Sequence, residues 1–343
     1  MSLPNVMTAA VTHGHGGPEQ IRVHSDWPCP RARRGDVVVR VTAAALNNTD
    51  IWSRQGSYGT ADDPDAIVGW KGVPLDFPRI QGIDVAGEVS TVGAGVDERL
   101  IGKRVIVDPA AEYGGGFPTH ILGSEVDGGF AQYVVCSERQ VHDVTASLLT
   151  DAQLSCLPTA YGTASGMIRR AACSPGERVL VTGASGGVGM AAVQLLLARD
   201  CEVVARTSEA NRGPMAALGV SELSIRGVDD VAELREVDAV VDVVGGDEFG
   251  SLIDRLRDGG RLVTAGAIAG PVVPFDIRRL YLRQRTLIGS TMHTASDFDE
   301  LAAVAVAGGV EPLVAATYPL VDIATAQARF VDKDFVGKLV LEP

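Results

Sequence analysis

The chain has 343 residues, of which 46% are hydrophobic, and its formal net charge is −13 at pH 7. This length predicts about two domains, each large enough to bury its own core. The negative charge argues against nucleic acid as a partner, because binding through phosphate contacts requires a basic face. No apolar run reaches the roughly 18 residues of a membrane span, and the N-terminus lacks the apolar core of a signal peptide. The five cysteines include no Cys-x-x-Cys pair, so we expect a cytoplasmic protein without disulfides.

Up to about residue 150 the chain consists of short, β-branched segments separated by closely spaced Gly and Pro. Strands are predicted at 36–42, 84–90, 104–108 and 130–135. This pattern is typical of a twisted, barrel-like β domain.

From about residue 152 strands alternate with helical patterns. The strands are predicted at 178–182, 202–205, 221–225, 239–244, 261–264 and 286–289, and the intervening helices at 188–199, 209–218, 229–235, 247–257 and 277–282. Six such strands imply an α/β fold with a doubly wound parallel sheet. After about residue 293 a helix, a strand near 313–318, another helix and a strand at 338–341 follow, and we expect this tail to rejoin the first domain.

A glycine-rich turn, Gly183-Ala-Ser-Gly-Gly-Val-Gly189, lies between a predicted strand and a predicted helix. Ala184 stands where the G-x-G-x-x-G fingerprint has its first glycine, which is a departure from that motif. Gly186 allows a pyrophosphate to approach the backbone, and Gly189 allows the helix to pack on the strand. The alternative is a tight turn between two buried elements. We predict a dinucleotide site formed by Ser185, Gly186, Gly187, Val188 and Gly189.

The end of the second strand of this domain indicates which cofactor binds. An NAD site would have Asp or Glu there to bind the ribose hydroxyls. This strand ends instead at Arg206, followed by Ser208 and, one helical turn on, Arg212. Guanidinium and hydroxyl groups suit a 2′-phosphate, so NADPH is predicted over NADH. The alternatives are that both arginines are solvated charges and that Glu209 binds the ribose.

Several motifs outside the glycine turn form a set: Asn47-Asn-Thr-Asp50, Arg54-Gln-Gly-Ser-Tyr58, Phe77-Pro-x-Ile-x-Gly-x-Asp84-x-Ala-Gly-x-Val89, Gly102-Lys-Arg-Val105, Gly128-Gly-Phe-Ala-Gln-Tyr133, Thr163-Ala164 and Gly337-Lys-Leu-Val340. With the glycine turn, they resemble the medium-chain dehydrogenase/reductase superfamily, and within it the zinc-independent quinone oxidoreductase branch. The resemblance implies a GroES-like catalytic domain at residues 1–152 and 293–343 and a Rossmann domain at 153–292. It adds Thr163 and Gly266 to the expected cofactor site.

Zinc alcohol dehydrogenases of that superfamily hold a catalytic metal with Cys, a His-Glu pair and a second Cys. The matching positions here are Asn47, the Ile83-Asp84 pair and Thr159, and one carboxylate cannot hold zinc. The stretch 110–126, which corresponds to their structural-zinc lobe, has no cysteine. We therefore expect no metal. The stray candidates Cys136, Cys156, His120 and His142 are interpreted as buried thiols and satisfied imidazoles.

Without a Lewis acid, conjugated carbonyls are easier hydride acceptors than simple aldehydes, because the developing charge delocalises. By resemblance, the hydrogen-bond donors above the nicotinamide are the Asn47 amide and the Thr159 hydroxyl, with Tyr58 or a bound water as the proton source. Asp50 is included in this catalytic set. Trp52 stands where many quinone reductases have Tyr, and it is predicted to form an apolar wall for the substrate. The alternative is that Asn47 and Asp50 cap turns and that the two aromatic residues belong to the core.

The predicted activity is NADPH-dependent reduction of a quinone, an enone or a related small conjugated carbonyl. Alternatives are an alcohol dehydrogenase, an enoyl-thioester reductase, or a cofactor-binding, RNA-associated protein without catalysis. The segment 59–76 is longer than in the quinone reductases. It is interpreted either as a lid over the binding site or as a solvent-exposed loop without a binding role. The last Rossmann strand, Thr286-Leu-Ile-Gly-Ser290, is apolar and falls at a sheet edge, which predicts a homodimer.

Overall fold

The computed structural model describes residues 3–343, which fold into two compact units. Unit 1 takes in the chain up to Thr159 together with Phe298–Pro343, and unit 2 is Ala160–Asp297. The sequence places these boundaries slightly earlier, at 152 and 292. At the first boundary, helical turns follow one another across residues 151–170. The helical sequence pattern therefore begins near residue 152, although the chain up to Thr159 packs within unit 1. Within residues 3–343, no helix is both long and apolar enough to cross a membrane.

The N-terminal part of unit 1 is rich in short strands, as expected. Its elements are β1 (Val6–Thr12), β2 (Ile21–Pro28), β3 (Asp36–Ala45), α1 (Asn48–Gln55), β4 (Arg79–Ile80), β5 (Ala86–Val92), β6 (Arg104–Val107), β7 (Ala110–Gly114), β8 (Phe117–Ile121), β9 (Tyr133–Ser137), β10 (Val141–Asp143) and α2 (Asp151–Ser155). β3 is the central strand, because it pairs with both β5 and β9. The inward-facing valines of β3 and β5 anchor the hydrophobic core of this unit.

Unit 2 is a six-stranded parallel sheet with helices between the strands. Its elements are α3 (Gly162–Arg170), β11 (Arg178–Val181), α4 (Gly187–Leu197), β12 (Glu202–Thr207), α5 (Arg212–Ala216), β13 (Glu222–Ile225), β14 (Val237–Asp242), α6 (Phe249–Asp254), β15 (Leu256–Thr264), α7 (Arg278–Tyr281) and β16 (Thr286–Gly289). The strand order is β13-β12-β11-β14-β15-β16, and all neighbours are parallel. The predicted doubly wound sheet is confirmed.

Three of the predicted helices of unit 2 are shorter than expected. The helix expected at 229–235 is a single 3-10 turn, Val231–Glu233, and the one expected at 209–218 is a 3-10 turn, Glu209–Asn211, followed by α5. The helix expected at 247–257 ends at Asp254, because β15 begins at Leu256. Pro214 lies in the first turn of α5, where its missing N–H has no cost. The sequence pattern predicted the positions of these helices correctly but overestimated their lengths.

The C-terminal segment completes unit 1. It contains α8 (Ala295–Ala307), β17 (Val314–Pro319), α9 (Ile323–Asp332) and β18 (Lys338–Glu342). β18 pairs with β17 in parallel and with β3 antiparallel, so the chain end lies inside the sheet of the N-terminal part. The expectation that the tail rejoins the first domain is therefore correct.

Candidate active site

Asp84 is the centre of a buried polar network in unit 1. Its side chain lies in the loop before β5 and is inaccessible to solvent. Carboxylate oxygen Oδ1 accepts a hydrogen bond from the backbone N–H of Thr159 at 2.8 Å. Oxygen Oδ2 accepts from Asn47 Nδ2 at 2.9 Å and lies 3.3 Å from the ammonium nitrogen of Lys338. Three donors thus replace the water that burial removes from this carboxylate.

Lys338 brings a positive charge into the network from the other end of the chain. The antiparallel pairing of β18 with β3 aligns Val340 with Ala45, which places Lys338 beside the residues that follow β3. Its ammonium group is buried and donates to three acceptors: Asn47 Oδ1 at 2.5 Å, Leu46 O at 2.7 Å and Asp84 Oδ2 at 3.3 Å. In the sequence, Lys338 was evident only as part of the closing motif. Its signal was a lysine directly before the apolar run 339–341.

The Asn47 side chain is engaged entirely within the protein. Its Nδ2 donates to Asp84 and, at 3.2 Å, to Ala45 O, while its Oδ1 accepts from Lys338. An amide has two N–H donors, and both have partners here. The expected hydrogen bond from this amide to a substrate oxygen would therefore require one of these bonds to break.

Asn47 is the N-cap residue of α1, and Asp50, the third residue of the helix, completes a capping box with it. Its Oδ2 accepts from the backbone N–H of Asn47 at 2.8 Å, and its Oδ1 accepts from Ile83 N at 3.2 Å. Burial raises the pKa of Asp50 to about 7, and the charge of Asp84 adds to this. These contacts match the capping alternative for Asp50 and give it a structural position beside the network.

Thr159 carries the one predicted donor group that remains free. Its backbone N–H is held by Asp84, but its hydroxyl oxygen is buried and has no hydrogen-bond partner among the described residues. A buried hydroxyl without a partner is costly to a folded protein. A bound ligand oxygen would remove that cost.

The two aromatic residues of the predicted substrate site contact each other. The rings of Trp52 and Tyr58 meet edge to face with centroids 5.6 Å apart, and Trp52 packs against the core of unit 1. The Tyr58 hydroxyl lies 2.6 Å from Thr49 Oγ1. Burial raises the pKa of Tyr58 to about 12. Tyr58 is therefore protonated near neutral pH, and either its hydroxyl or a bound water stays the predicted proton source.

The residues at the zinc-ligand positions do not fit a catalytic zinc ion. Such sites use three protein ligands, commonly Cys, His, Asp or Glu. Here Ile83 is apolar, the Asn47 amide is fully hydrogen-bonded, and Asp84 faces the ammonium group of Lys338. A divalent cation at Asp84 would meet the repulsion of that ammonium. In the part of the chain that the structure describes, no group of three or more His, Cys, Asp and Glu side chains is placed to hold a metal ion.

The stray metal candidates have other environments. Burial raises the pKa values of Cys136 and Cys156 to about 12, so both remain thiols. His120 Nδ1 lies 2.9 Å from Glu112 Oε2, and the His142 ring packs against Phe298. These surroundings match buried small side chains and satisfied imidazoles.

The glycine turn of unit 2 has the geometry of a phosphate cradle. Gly183 adopts a left-handed conformation with φ +56°. A Cβ at Gly189 would lie 2.2 Å from Gly183 O, so α4 can approach the turn only without a side chain there. A Cβ at Gly186 would meet Gly183 O at 3.4 Å and no other described atom within 4 Å. Gly186 caps α4, whose first N–H groups have no acceptor within the helix. The turn therefore fits the pyrophosphate of a dinucleotide.

Asp242 holds the ends of three parallel strands in register around this turn. It accepts hydrogen bonds from Thr182 Oγ1 at 2.7 Å, beyond β11, and from Thr264 Oγ1 at 3.5 Å, at the end of β15. The predicted Gly266 follows, and a Cβ there would lie 2.6 Å from Val243 O. Asp242 was missed by the sequence analysis, because a buried carboxylate that ends a strand has no pattern of its own.

Arg206 has partners that the sequence did not indicate. Its guanidinium is buried and forms two parallel bonds with Glu248, Nε to Oε2 at 2.9 Å and Nη2 to Oε1 at 2.6 Å. Its Nη1 donates to Ser224 Oγ at 2.6 Å. The free guanidinium expected at the end of β12 is thus taken by an internal carboxylate that lies 42 residues further on. Bidentate phosphate binding by Arg206 would require this pair to open.

The other residues expected at the cofactor end of β12 are more accessible. Ser208 is half-buried, and Arg212 is exposed with its Nη2 2.8 Å from Glu209 Oε2. Asn211, which was not predicted, donates to Ser185 Oγ at 2.8 Å and so ties this segment to the glycine turn.

The Thr207 hydroxyl is buried without a partner among residues 3–343. Thr163, on α3, is also buried.

The segment 59–76 is anchored to the rest of unit 1. Trp70 Nε1 donates to Glu125 Oε1 at 3.1 Å, and Leu75 N donates to His15 Nε2 at 3.3 Å. The segment is therefore packed by specific contacts, and whether it also covers a substrate stays open as a prediction.

Two family models match the chain. Residues 33–146 match the alcohol dehydrogenase GroES-like domain, and residues 187–307 match a model described as zinc-binding dehydrogenase. The matched ranges lie in the strand-rich N-terminal part and across the parallel sheet.

Relatives align with nearly the whole chain. It is 29% identical to acryloyl-coenzyme A reductase of Metallosphaera sedula, over 98% of this chain and 99% of that protein. It is 28% identical to quinone oxidoreductase of Lama guanicoe, over 98% and 97%. Among solved structures, a provisionally assigned alcohol dehydrogenase from Sinorhizobium meliloti 1021 shares 42% identity with a TM-score of 0.95, covering 99% of this chain and 98% of that one.

Proposed function

Because the chain belongs to the medium-chain dehydrogenase/reductase superfamily, in its quinone oxidoreductase-like branch, we propose that it is a zinc-independent reductase that transfers hydride from NADPH to a quinone, an enone or a related conjugated carbonyl. The observation that carries this proposal is the buried network of Asn47, Asp84 and Lys338. It places an ammonium group and satisfied hydrogen bonds where the zinc dehydrogenases of the superfamily hold a metal.

The network suits hydride acceptors whose developing negative charge can be stabilised by hydrogen bonds alone. When bound, the reduced nicotinamide supplies the hydride. In a conjugated acceptor the resulting negative charge spreads through the π-system, so a hydrogen-bond donor can stabilise it without a Lewis acid. The Thr159 hydroxyl is buried and has no hydrogen-bond partner among residues 3–343, and we assign it this role.

The preference for NADPH is proposed from the arginine and hydroxyl side chains at the end of β12. Ser208 and Arg212 are accessible there, and Arg212 carries a guanidinium that can bind a 2′-phosphate. Arg206 joins them if its pair with Glu248 opens. Enoyl thioesters are a second candidate class of substrate, favoured by the likeness to acryloyl-coenzyme A reductase, and they are also conjugated carbonyls.

A substrate panel tests the proposed function. Quinones, 2-enones, an enoyl-coenzyme A and simple alcohols are assayed with each nicotinamide cofactor, before and after exhaustive chelation. We expect reduction of conjugated acceptors that chelation leaves unchanged. Thr159→Val should lower kcat/KM by about 10²-fold, the usual effect of losing one oxyanion donor, whereas Thr159→Ser keeps the hydroxyl and should retain most activity. Oxidation of simple alcohols that chelation abolishes would contradict the proposal.

We also propose that the protein is a homodimer through β16. This strand is the last of the parallel sheet and pairs only with β15 within the sheet. Leu287 on it is 36% exposed. Leu287→Lys should shift the protein toward monomer in sedimentation at micromolar concentration, because two lysines would face each other across a symmetric edge. Leu148→Lys, at an exposed leucine of unit 1, is the control. A wild-type monomer would contradict the proposal.

A further inference from the structure

Arg206 and Glu248 form a bidentate ion pair, with two parallel hydrogen bonds between the guanidinium and the carboxylate. Both carboxylate oxygens of Glu248 are bound, and the remaining guanidinium nitrogen, Nη1, donates to Ser224 Oγ. Such fork-like pairs are among the strongest charge-assisted interactions in proteins. Nη1 also donates to Asp229 O at 3.4 Å, so four of the five guanidinium N–H groups have partners and one N–H of Nη2 is left for an incoming phosphate.

Glu248 and Arg206 come from the ends of two different strands: Arg206 lies near the end of β12 and Glu248 follows β14. Glu248 comes after Gly245 and Gly246, which both adopt positive φ angles. A Cβ at Gly246 would lie 2.7 Å from the Ala269 side chain, so the turn cannot accept a side chain without moving. The rule for dinucleotide folds places the ribose-binding acid at the end of the second strand. Here the acid comes from the turn after β14, and the second strand supplies the arginine.

The pair borders an open cavity of about 320 Å³ in unit 2. Glu248 is 40% exposed at its side chain, whereas Arg206 is 4% exposed, so the carboxylate is the member of the pair that faces solvent. The cavity is also lined by Asp229 and Asp230. One arginine and three carboxylates leave its wall with two negative charges in excess.

We propose that Glu248 determines the cofactor selectivity, because it acts as an internal anion that occupies Arg206 and opposes the 2′-phosphate of NADPH. This inference rests on the proposed function, since it concerns the same nicotinamide cofactor. A ribose with a free 2′-hydroxyl can donate to the exposed Glu248 carboxylate. A 2′-phosphate must displace that carboxylate before it can form a bidentate pair with the guanidinium.

The test measures the dissociation constants of NADPH and NADH by direct titration, without substrate. Glu248→Gln should increase the preference for NADPH about tenfold, a change in relative affinity equivalent to about 1.4 kcal/mol. Arg206→Met should shift the ratio the other way, toward NADH. The matched control is Glu236→Gln, because Glu236 also pairs with an arginine, Arg283 at 2.8 Å, but lies just before β14, at the opposite end of the strand. It should leave the ratio unchanged.

Circular dichroism confirms that each variant is folded. An unchanged ratio in Glu248→Gln, or an equal shift in Glu236→Gln, would overturn the role of Glu248 while the proposed function stands. If the wild-type protein binds neither cofactor, both the proposed function and this inference are wrong.

Discussion

Lys338→Met is expected to lower the free energy of unfolding by about 3–5 kcal/mol, the usual cost of leaving one member of a buried ion pair without its partner. Asp84 is inaccessible to solvent, and the ammonium of Lys338 is the cation beside it at 3.3 Å. The substitution also leaves Leu46 O and Asn47 Oδ1 without the donor they share. Urea denaturation of both proteins measures the difference.

Lys333→Met is the matched control, since it removes an ammonium group from the same end of the chain. Lys333 donates to Asn48 Oδ1 at 2.9 Å and lies 3.5 Å from the centre of the Phe330 ring. An exposed contact of this kind contributes about 0.5–1 kcal/mol. Adding Asp84→Asn to Lys338→Met should recover part of the lost stability, because no buried charge remains unpaired. Equal stability of Lys338→Met and the wild type would show that the network is not held by this charge.

Gly189→Ala is expected to weaken NADPH binding more than tenfold and to destabilise the fold by about 1–3 kcal/mol, as overpacking of a tight contact does. The added Cβ would lie 2.2 Å from Gly183 O and 2.7 Å from Gly183 C, so the backbone of the turn must move. A moved turn no longer aligns the N–H groups of α4 with a pyrophosphate. Titration with NADPH and thermal unfolding measure the two effects.

Alanine substitutions at two other glycines distinguish an effect on packing from an effect on NADPH binding. A Cβ at Gly213 on α5 would have nothing within 4 Å, so Gly213→Ala should leave binding unchanged and stabilise the protein slightly. A Cβ at Gly186 makes only an ordinary contact with the protein. Gly186→Ala should therefore unfold like the wild type yet bind NADPH poorly, because its methyl group occupies the cradle. Normal NADPH binding by both Gly186→Ala and Gly189→Ala would rule out the turn as the phosphate site.

Much of the fold of unit 2 was evident from local patterns. The β-branched strands alternate with helical segments, and the glycine turn lies where β11 passes into α4. These features depend on backbone preferences and on the burial of parallel strands, which neighbouring residues set. Helix lengths were less predictable. The short turn Val231–Glu233 occupies a stretch whose apolar spacing suited a longer helix.

The partners of the site residues were not evident from the sequence. Asn47 was a predicted donor to the substrate, but Lys338 and Asp84 take up its amide. Arg206 was predicted to bind a phosphate, and Glu248 occupies it. Thr159 stays a predicted donor, and nothing in the described chain binds its hydroxyl.

The sequence by itself determined the order of strands and helices, the glycine turn and the motifs of the superfamily, since each depends on residues within a few positions of one another. Tertiary structure alone decided which charges meet. Lys338 lies 254 residues from Asp84 in the chain, and the pairing of β18 with β3 brings them together. Arg206 meets Glu248 because the ends of parallel strands share one edge of the sheet. Such contacts depend on strand register, because a one-residue shift would turn Lys338 in β18 and Arg206 in β12 to the opposite faces of their sheets.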